Sequence, residues 1–266
     1  PTRDLSVTEV YFAIPGNIDQ PTGGYGYDRR LIAELPSVGV DVKHVELPAG
    51  FPHPSQEECE AVAKGAAALP GDATLLIDGL AYGAFPKELA EGIAQRIIAL
   101  VHHPLAMEAG LTDDERQHFA TTEQVALALA DHVIVTSATT RRTLINEFAV
   151  PDTSITVAEP GTDPAQRATG TGTPMQLLCV GTITPRKGYD ILVEALEPLK
   201  DLDWRVTIAG PDDRDAETTT ALRSQINALG LHHRITLSGV VVPATLDRFY
   251  ESADIYVMPS LYDWYG

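Results

Sequence analysis

A chain of 266 residues exceeds one ordinary domain and suffices for two, each able to bury its own core. With 44% apolar and 21% charged residues it has the composition of an ordinary globular protein, which excludes disordered and fibrous classes. Its 19 basic against 37 acidic residues leave a net charge of −18, so repulsion disfavours non-specific contact with nucleic acid or an anionic membrane.

The apolar run "VTEVYFAIPG" (7–16) predicts a strand, and "YGYDRRLIAELPSVG" after it a helix stopped near Gly39. "DVKHVEL" predicts a second strand, and "PSQEECEAVAKGAAALP" a helix whose first-turn acids suit the helix dipole. "ATLLIDG" reads as a buried strand, "PKELAEGIAQ" as a short helix, and "RIIALVHHP" as a strand ending in a histidine pair. "LTDDERQHFATTEQVALALA" is a long helix and "HVIVTS" a strand. "SATTRRTLINEF" is a helix capped by Ser137, and "SITVAEPG" closes the first half.

"TDPAQRATGTGTP" (162–174) is rich in Gly, Thr and Pro and lacks apolar periodicity, which is a linker signal. Beyond it come strand 176–181, helix 188–199, strand 204–210, helix 216–229, strand 234–239, helix 243–251 and strand 254–258. Asp254 is expected to brace the entry to that last strand. Continuous apolar strands separated by helices indicate parallel sheets covered on both faces, an α/β class. The expected division is a first domain over 1–165, a linker over 166–174 and a second domain over 175–266. Two such domains are expected to bind ligand in a cleft between the carboxyl ends of their sheets. The second is expected to be incomplete, because domains of this class usually run to about 100–150 residues and close with a helix.

Cys59 and Cys179 lack a C-x-x-C partner and are expected to be reduced and apolar, neither a disulfide nor zinc ligands. With no basic leader and no apolar stretch of about 18 residues, a cytoplasmic location is expected. The acid excess argues against an electrostatic membrane anchor, and the sequence assigns no oligomeric partner.

In "VGTITPRKGYD" (180–190), Arg186 and Lys187 stand side by side where a strand gives way to a helix. Free backbone amides, a guanidinium and an ammonium would there meet a diphosphate together. The alternative is a charge pair that merely solvates a loop. "PTGGYGYDRRL" (21–31) supplies a glycine loop in the first domain, where Gly23, Gly24 and Gly26 would admit a phosphate or sugar to the backbone. Its spacing is not G-x-G-x-x-G, which disfavours a nicotinamide enzyme. His102 and His103 end a strand without H-E-x-x-H or cysteine partners, so no metal is expected. Either histidine suits donation to a substrate hydroxyl or a developing charge, or simply bonds loop backbone. "LYDWYG" places Asp263 among aromatic rings, suited to gripping a sugar or forming a buried cluster.

"LLCVGTITPRKGYDILVEAL", "WRVTIAGPDD", "LGLHHRITLSGVV" and "LDRFYESADIYVMPSLYDWYG" together resemble the donor-binding half of family 4 glycosyltransferases. "PTGGYGYDRRL", "LVHHPLAMEAGL" and "VIVTSATTRRTL" resemble the acceptor-side half of bacterial members. The resemblance implies the GT-B fold of two Rossmann-like domains. It also implies metal-independent transfer, with retention, from a nucleotide-diphosphate sugar to an acceptor the sequence does not name. Lys187 would contact the donor diphosphate with Gly181, Arg186 and Gly210 beside it, and Gly23 and Gly24 would approach from the first domain. His102 or His103 would lie near the transferring sugar, and Asp263 would stand where the family has a glutamate on that sugar.

Two departures are visible: Gly181-Thr182 replaces the family's Gly-Arg, and Asp263-Trp264 replaces its Glu-Gly. The family's second glutamate, which grips the nucleotide ribose, is expected beyond Gly266. The competing readings are a nucleotide-sugar epimerase, a phosphorylase, for which no pyridoxal-phosphate lysine stands out, and a non-catalytic subunit.

Overall fold

A computed structural model describes residues 8–20, 22–108, 110–170 and 172–261. Contacts divide them into two units, one reaching Gly161 and the other starting at Thr162, each built on its own parallel sheet. Among the described residues, no helix is long and apolar enough to cross a membrane.

The first unit holds strands β1 (Thr8–Pro15), β2 (Val40–Leu47), β3 (Thr74–Asp78), β4 (Arg96–Val101), β5 (His132–Val135) and β6 (Ile155–Val157). Its helices are α1 (Gly23–Glu34), α2 (Gln56–Ala67), α3 (Gly79–Tyr82), α4 (Lys87–Gly92), α5 (Asp113–Leu129) and α6 (Ala138–Glu147). The strand order is β2-β1-β3-β4-β5-β6, every neighbouring pair parallel. Period-two geometry explains the unbroken apolar strands. Phe12 and Ile14 of β1 join Leu76 and Leu100 on one face, while Ala13 joins Leu75, Ile77, Ala99 and Val101 on the other. From β1 the chain goes out to edge strand β2 and comes back as β3 on the far side. That reversal opens a crevice at the carboxyl ends of β1 and β3, the usual place for a ligand in open α/β sheets.

Local chemistry sets the helix starts. Ser55 and Glu58 form a capping box on α2, as do Thr112 and Glu115 on α5, and Ser137 caps α6 through the Thr140 amide. Two details differ from the sequence reading. Thr22 caps α1 through the Tyr25 amide, so Gly23, Gly24 and Gly26 lie in the first turn of a helix and not in a loop. The short helix α3 was not anticipated; Asp78 starts it by accepting from the Leu80 amide at 2.6 Å.

The second unit holds β7 (Met175–Val180), α7 (Tyr189–Leu196), β8 (Trp204–Ala209), α8 (Ala216–Ala228), β9 (Ile235–Gly239), α9 (Pro243–Ser252) and β10 (Ile255–Tyr256). Its order is β10-β7-β8-β9, again parallel, with the reversal between β7 and β10. The helix expected over 188–199 ends as an α-helix at Leu196, because Pro198 brings no amide and the chain tightens into a 3₁₀ turn over Glu197–Leu199. The last strand shortens from the expected 254–258 to Ile255–Tyr256.

The segment expected to link the domains is tied to this second unit. Thr169 donates its amide to the Glu251 carbonyl at 3.0 Å. Asp254 accepts from the Gly172 amide at 3.0 Å and the Gln176 amide at 2.7 Å, joining the segment to the start of β7 and the entry of β10. Hydrogen bonds to a charged acceptor contribute roughly 1.5–3 kcal/mol each when desolvated, and less at a half-buried site. Asp254→Ala should therefore lower the unfolding free energy of this unit by about 2 kcal/mol, and Asp254→Asn by less, as read from urea midpoints. Equal midpoints for Asp254→Ala and the parent chain would contradict the bracing role.

Candidate functional site

The carboxyl end of the second sheet is lined with backbone. Gly181 follows β7 with φ 154°, Gly210 follows β8 with φ 148°, and Gly239 ends β9 with φ 64°. Gly181 donates to the Ala209 carbonyl at 2.8 Å and Gly210 to the Gly239 carbonyl at 3.0 Å, so each strand end leans on the next. A Cβ on Gly210 would stand 2.2 Å from the Gly181 oxygen, and one on Gly181 would stand 3.2 Å from Lys187 Cε. Only glycine fits at Gly210.

From Gly181 the chain runs into a 3₁₀ turn, Pro185–Lys187, and then into α7. Gly188 makes the joint with φ 62°, and a Cβ there would lie 2.3 Å from the Pro259 carbonyl oxygen. Leu261 donates its amide to the Arg186 carbonyl at 2.9 Å. The loop after β7 is thus pressed against the loop after β10, at the reversal point of the sheet. Tyr189 anchors the arrangement by donating its hydroxyl to the Gly181 carbonyl at 3.2 Å. Arg186 and Lys187 are half-buried, and Gly188, the residue before α7, has no side chain with which to cap it. Gly181, Arg186, Lys187 and Gly210 therefore sit at one end of one sheet, with two cations beside the start of α7. That set suits an anion. Asp263, the other residue assigned to the sugar, lies outside the described residues.

In the first unit the structure brings Gly24 and His102 together. A Cβ on Gly24 would be 3.3 Å from His102 Cδ2, while Gly23 opens the same helix one residue earlier. The His102 ring is gripped from two elements: its Nε2 is 3.2 Å from Asp28 Oδ1 on α1 and 3.6 Å from Asp78 Oδ2 at the end of β3. The ring is 12% exposed, and both acids are buried. Burial alone would depress the His102 pKa, but hydrogen bonds and charge from Asp28 and Asp78 override it and raise it to about 9. Burial pushes Asp28 up to about 7 against the pull of His102. Burial also opposes ionisation of Asp78, yet His102, Asp28 and the Leu80 amide hold its pKa below the ordinary value.

The two histidines are not equivalent. His103 is more exposed, at 28%, and pairs with Glu108 on the surface. The peptide oxygen of His102 accepts from Thr140 Oγ1 at 3.1 Å and Thr136 Oγ1 at 3.4 Å, and Tyr27 meets its ring edge-on at 5.4 Å. Asp28, Asp78 and His102 are also a grouping of metal-ligating types within 4.8 Å of one another.

Sequence reasoning did not single out Asp28 or Asp78, and it also passed over Glu123. This glutamate is buried on α5, where its Oε2 accepts from the Leu105 amide at 2.9 Å. It braces the turn Leu105–Met107 that follows the histidines. Its other oxygen has no hydrogen-bond partner among the described residues, and burial lifts its pKa to about 8. An apolar cavity of about 500 Å³ beneath α2, lined by Ala13, Val62, Leu75, Ile77 and Phe85, holds none of these groups.

Residues 174–266 match the family described as "Glycosyl transferases group 1". Among solved structures, sucrose-phosphate synthase from Thermosynechococcus elongatus superposes with a TM-score of 0.73 at 18% identity, covering 96% of this chain and 77% of that one. The fold is that of the GT-B glycosyltransferases. HepE of Anabaena in complex with UDP-glucose superposes with a TM-score of 0.61 at 15% identity, over 94% of this chain and 74% of that one. The D-inositol 3-phosphate glycosyltransferase of Kineococcus radiotolerans is 28% identical over 163 residues, 54% of this chain and 38% of that protein. The chain's matches span between 21% and 46% of the curated relatives' own lengths.

The buried Glu123 gives this unit a pH dependence of definite sign. Its pKa rises from an ordinary 4.5 to about 8 on folding, so its contribution is fully present below 4.5 and is lost as pH rises through about 8. Glu123→Gln removes that titration while keeping an acceptor for Leu105. The melting temperature of the variant should fall less between pH 4.5 and pH 8 than that of the parent. Parallel curves for the two chains would contradict this.

Proposed function

We propose that this chain serves a retaining, metal-independent glycosyltransferase that takes its sugar from a nucleotide-diphosphate donor. The observation that carries the reading is the glycine-cleared, cationic strand end formed by Gly181, Gly210, Arg186 and Lys187 at the start of α7. The group 1 glycosyltransferase match over the same residues supports it, as does the likeness to HepE, whose structure holds UDP-glucose.

As the glycosidic C–O bond breaks, negative charge grows on the departing diphosphate. Arg186, Lys187 and the first amides of α7 would meet that charge without rearranging, and preorganised donors of this kind contribute roughly 3–4 kcal/mol each in a dry site. No pair of carboxylates need flank the bond as in a hydrolase. Retention follows if the acceptor hydroxyl attacks on the face the diphosphate leaves and passes its proton to that diphosphate. His102, Gly24 and Asp263 are assigned to the sugar by resemblance alone.

Calorimetry with UDP should give saturable heat on this chain, and Lys187→Ala should weaken binding at least about tenfold. In a transfer assay the same substitution should lower kcat/KM by about 10²–10³. Unchanged binding and unchanged kcat/KM in Lys187→Ala would contradict the reading.

A further inference from the structure

Two carboxylates buried around one imidazole are costly unless each is compensated. Asp28 comes from α1 and Asp78 from the end of β3, and both reach the same Nε2. One Asp28 oxygen has no hydrogen-bond partner among the described residues, so the imidazole is the main compensation this acid receives. The rest of His102 is fixed as well. Its carbonyl is held by Thr136 and Thr140, Tyr27 lies edge-on to the ring, and Gly24 leaves room that a Cβ, 3.3 Å from His102 Cδ2, would take.

We propose that Asp28 and Asp78 are the positioning residues of His102: they fix its ring through Nε2 and hold it as a cation, so that it meets substrate as a rigid positive group and not as a proton acceptor. With the Nε2 proton directed at the two acids, the ring is left to meet substrate through Nδ1, which the adjacent negative charge keeps protonated. The suited partner is a sugar hydroxyl, a clause that rests on the transferase reading above. Among the described residues, the titratable groups against the ring are Asp28 and Tyr27 from α1 and Asp78 from β3. The side formed by β5 and α6 contributes Thr136 and Thr140, which do not titrate, and the neighbouring His103 is engaged by Glu108. The raised His102 pKa, about 9, agrees with the geometry.

Histidine-selective NMR of the unliganded chain tests the grip without any need for activity. His102 should stay doubly protonated through neutral pH, titrating well above the ordinary 6.5, and Asp28→Asn or Asp78→Asn should each lower that point by at least about one pH unit. In a transfer assay the parent's kcat should stay level across neutral pH. That of Asp28→Asn should fall as pH rises through the lowered histidine point, with little change in donor KM. A parent His102 that titrates near 6.5, or asparagine variants that leave its titration unmoved, would overturn the proposal. So would a stoichiometric divalent ion bound among the three side chains of the purified chain. If either variant fails to fold, the parent titration alone decides. Should UDP fail to bind while the histidine signals behave as described, the transferase reading falls and the grip on His102 stands.

Discussion

Where β7 and β8 end, two peptide groups pass so closely that a Cβ on Gly210 would stand 2.2 Å from the Gly181 oxygen. That approach governs the whole end of the second sheet. With no side chain above Gly181 or Gly210, the Tyr189 hydroxyl reaches the Gly181 carbonyl and the stem of Lys187 can lie against the strand end. The tight turn that carries Arg186 is then fixed from the other side by the Leu261 amide, and Gly188 meets Pro259 at a distance that excludes a side chain there too. The backbone of the turn and of the start of α7 is thereby fixed by contacts that glycine alone permits, with the Lys187 stem beside Gly181.

The first unit uses the opposite device. Instead of clearing side chains away, it buries charge: two aspartates close on His102, and Glu123 lies behind the turn that follows the histidines. Such groups oppose folding unless they are paired, and the large apolar core around them offsets what they cost. Local rules of burial are broken here, at the carboxyl end of a parallel sheet near its reversal point. Strain and buried polarity in that position ordinarily serve a site and not the fold.

Much of the architecture was legible because parallel strands covered on both faces are apolar without interruption. "VYFAIP", "TLLID" and "IIALV" announce themselves by that run. The strand-to-helix turn with Arg186 and Lys187 was legible for the same reason, since the strand before it and the helix after it both carry strong patterns. Asp28 was hidden because "YDRRL" looks like a solvated helix face, and only the tertiary fold turns that position inward. Glu123 was masked in the same way by the polar run "TTEQ". Asp78 left a faint signal, an acid ending an apolar strand immediately before glycine, which is also how a helix cap reads. The glycines after β1 carry a loop pattern in sequence, and the Thr22 cap on the Tyr25 amide draws them into the first turn of α1. Asp254 holds Gly172 from 82 positions away, a separation that no local pattern records.

The central claim is that the bare strand end, the tight turn and the start of α7 together receive a diphosphate. Backbone amide chemical-shift mapping of the chain during a UDP titration tests it most directly. The account predicts that saturable shifts concentrate on Gly181, Arg186, Lys187, Gly188 and Tyr189, with Gly210 beside them. Saturable shifts centred elsewhere, with these amides unmoved, would contradict it.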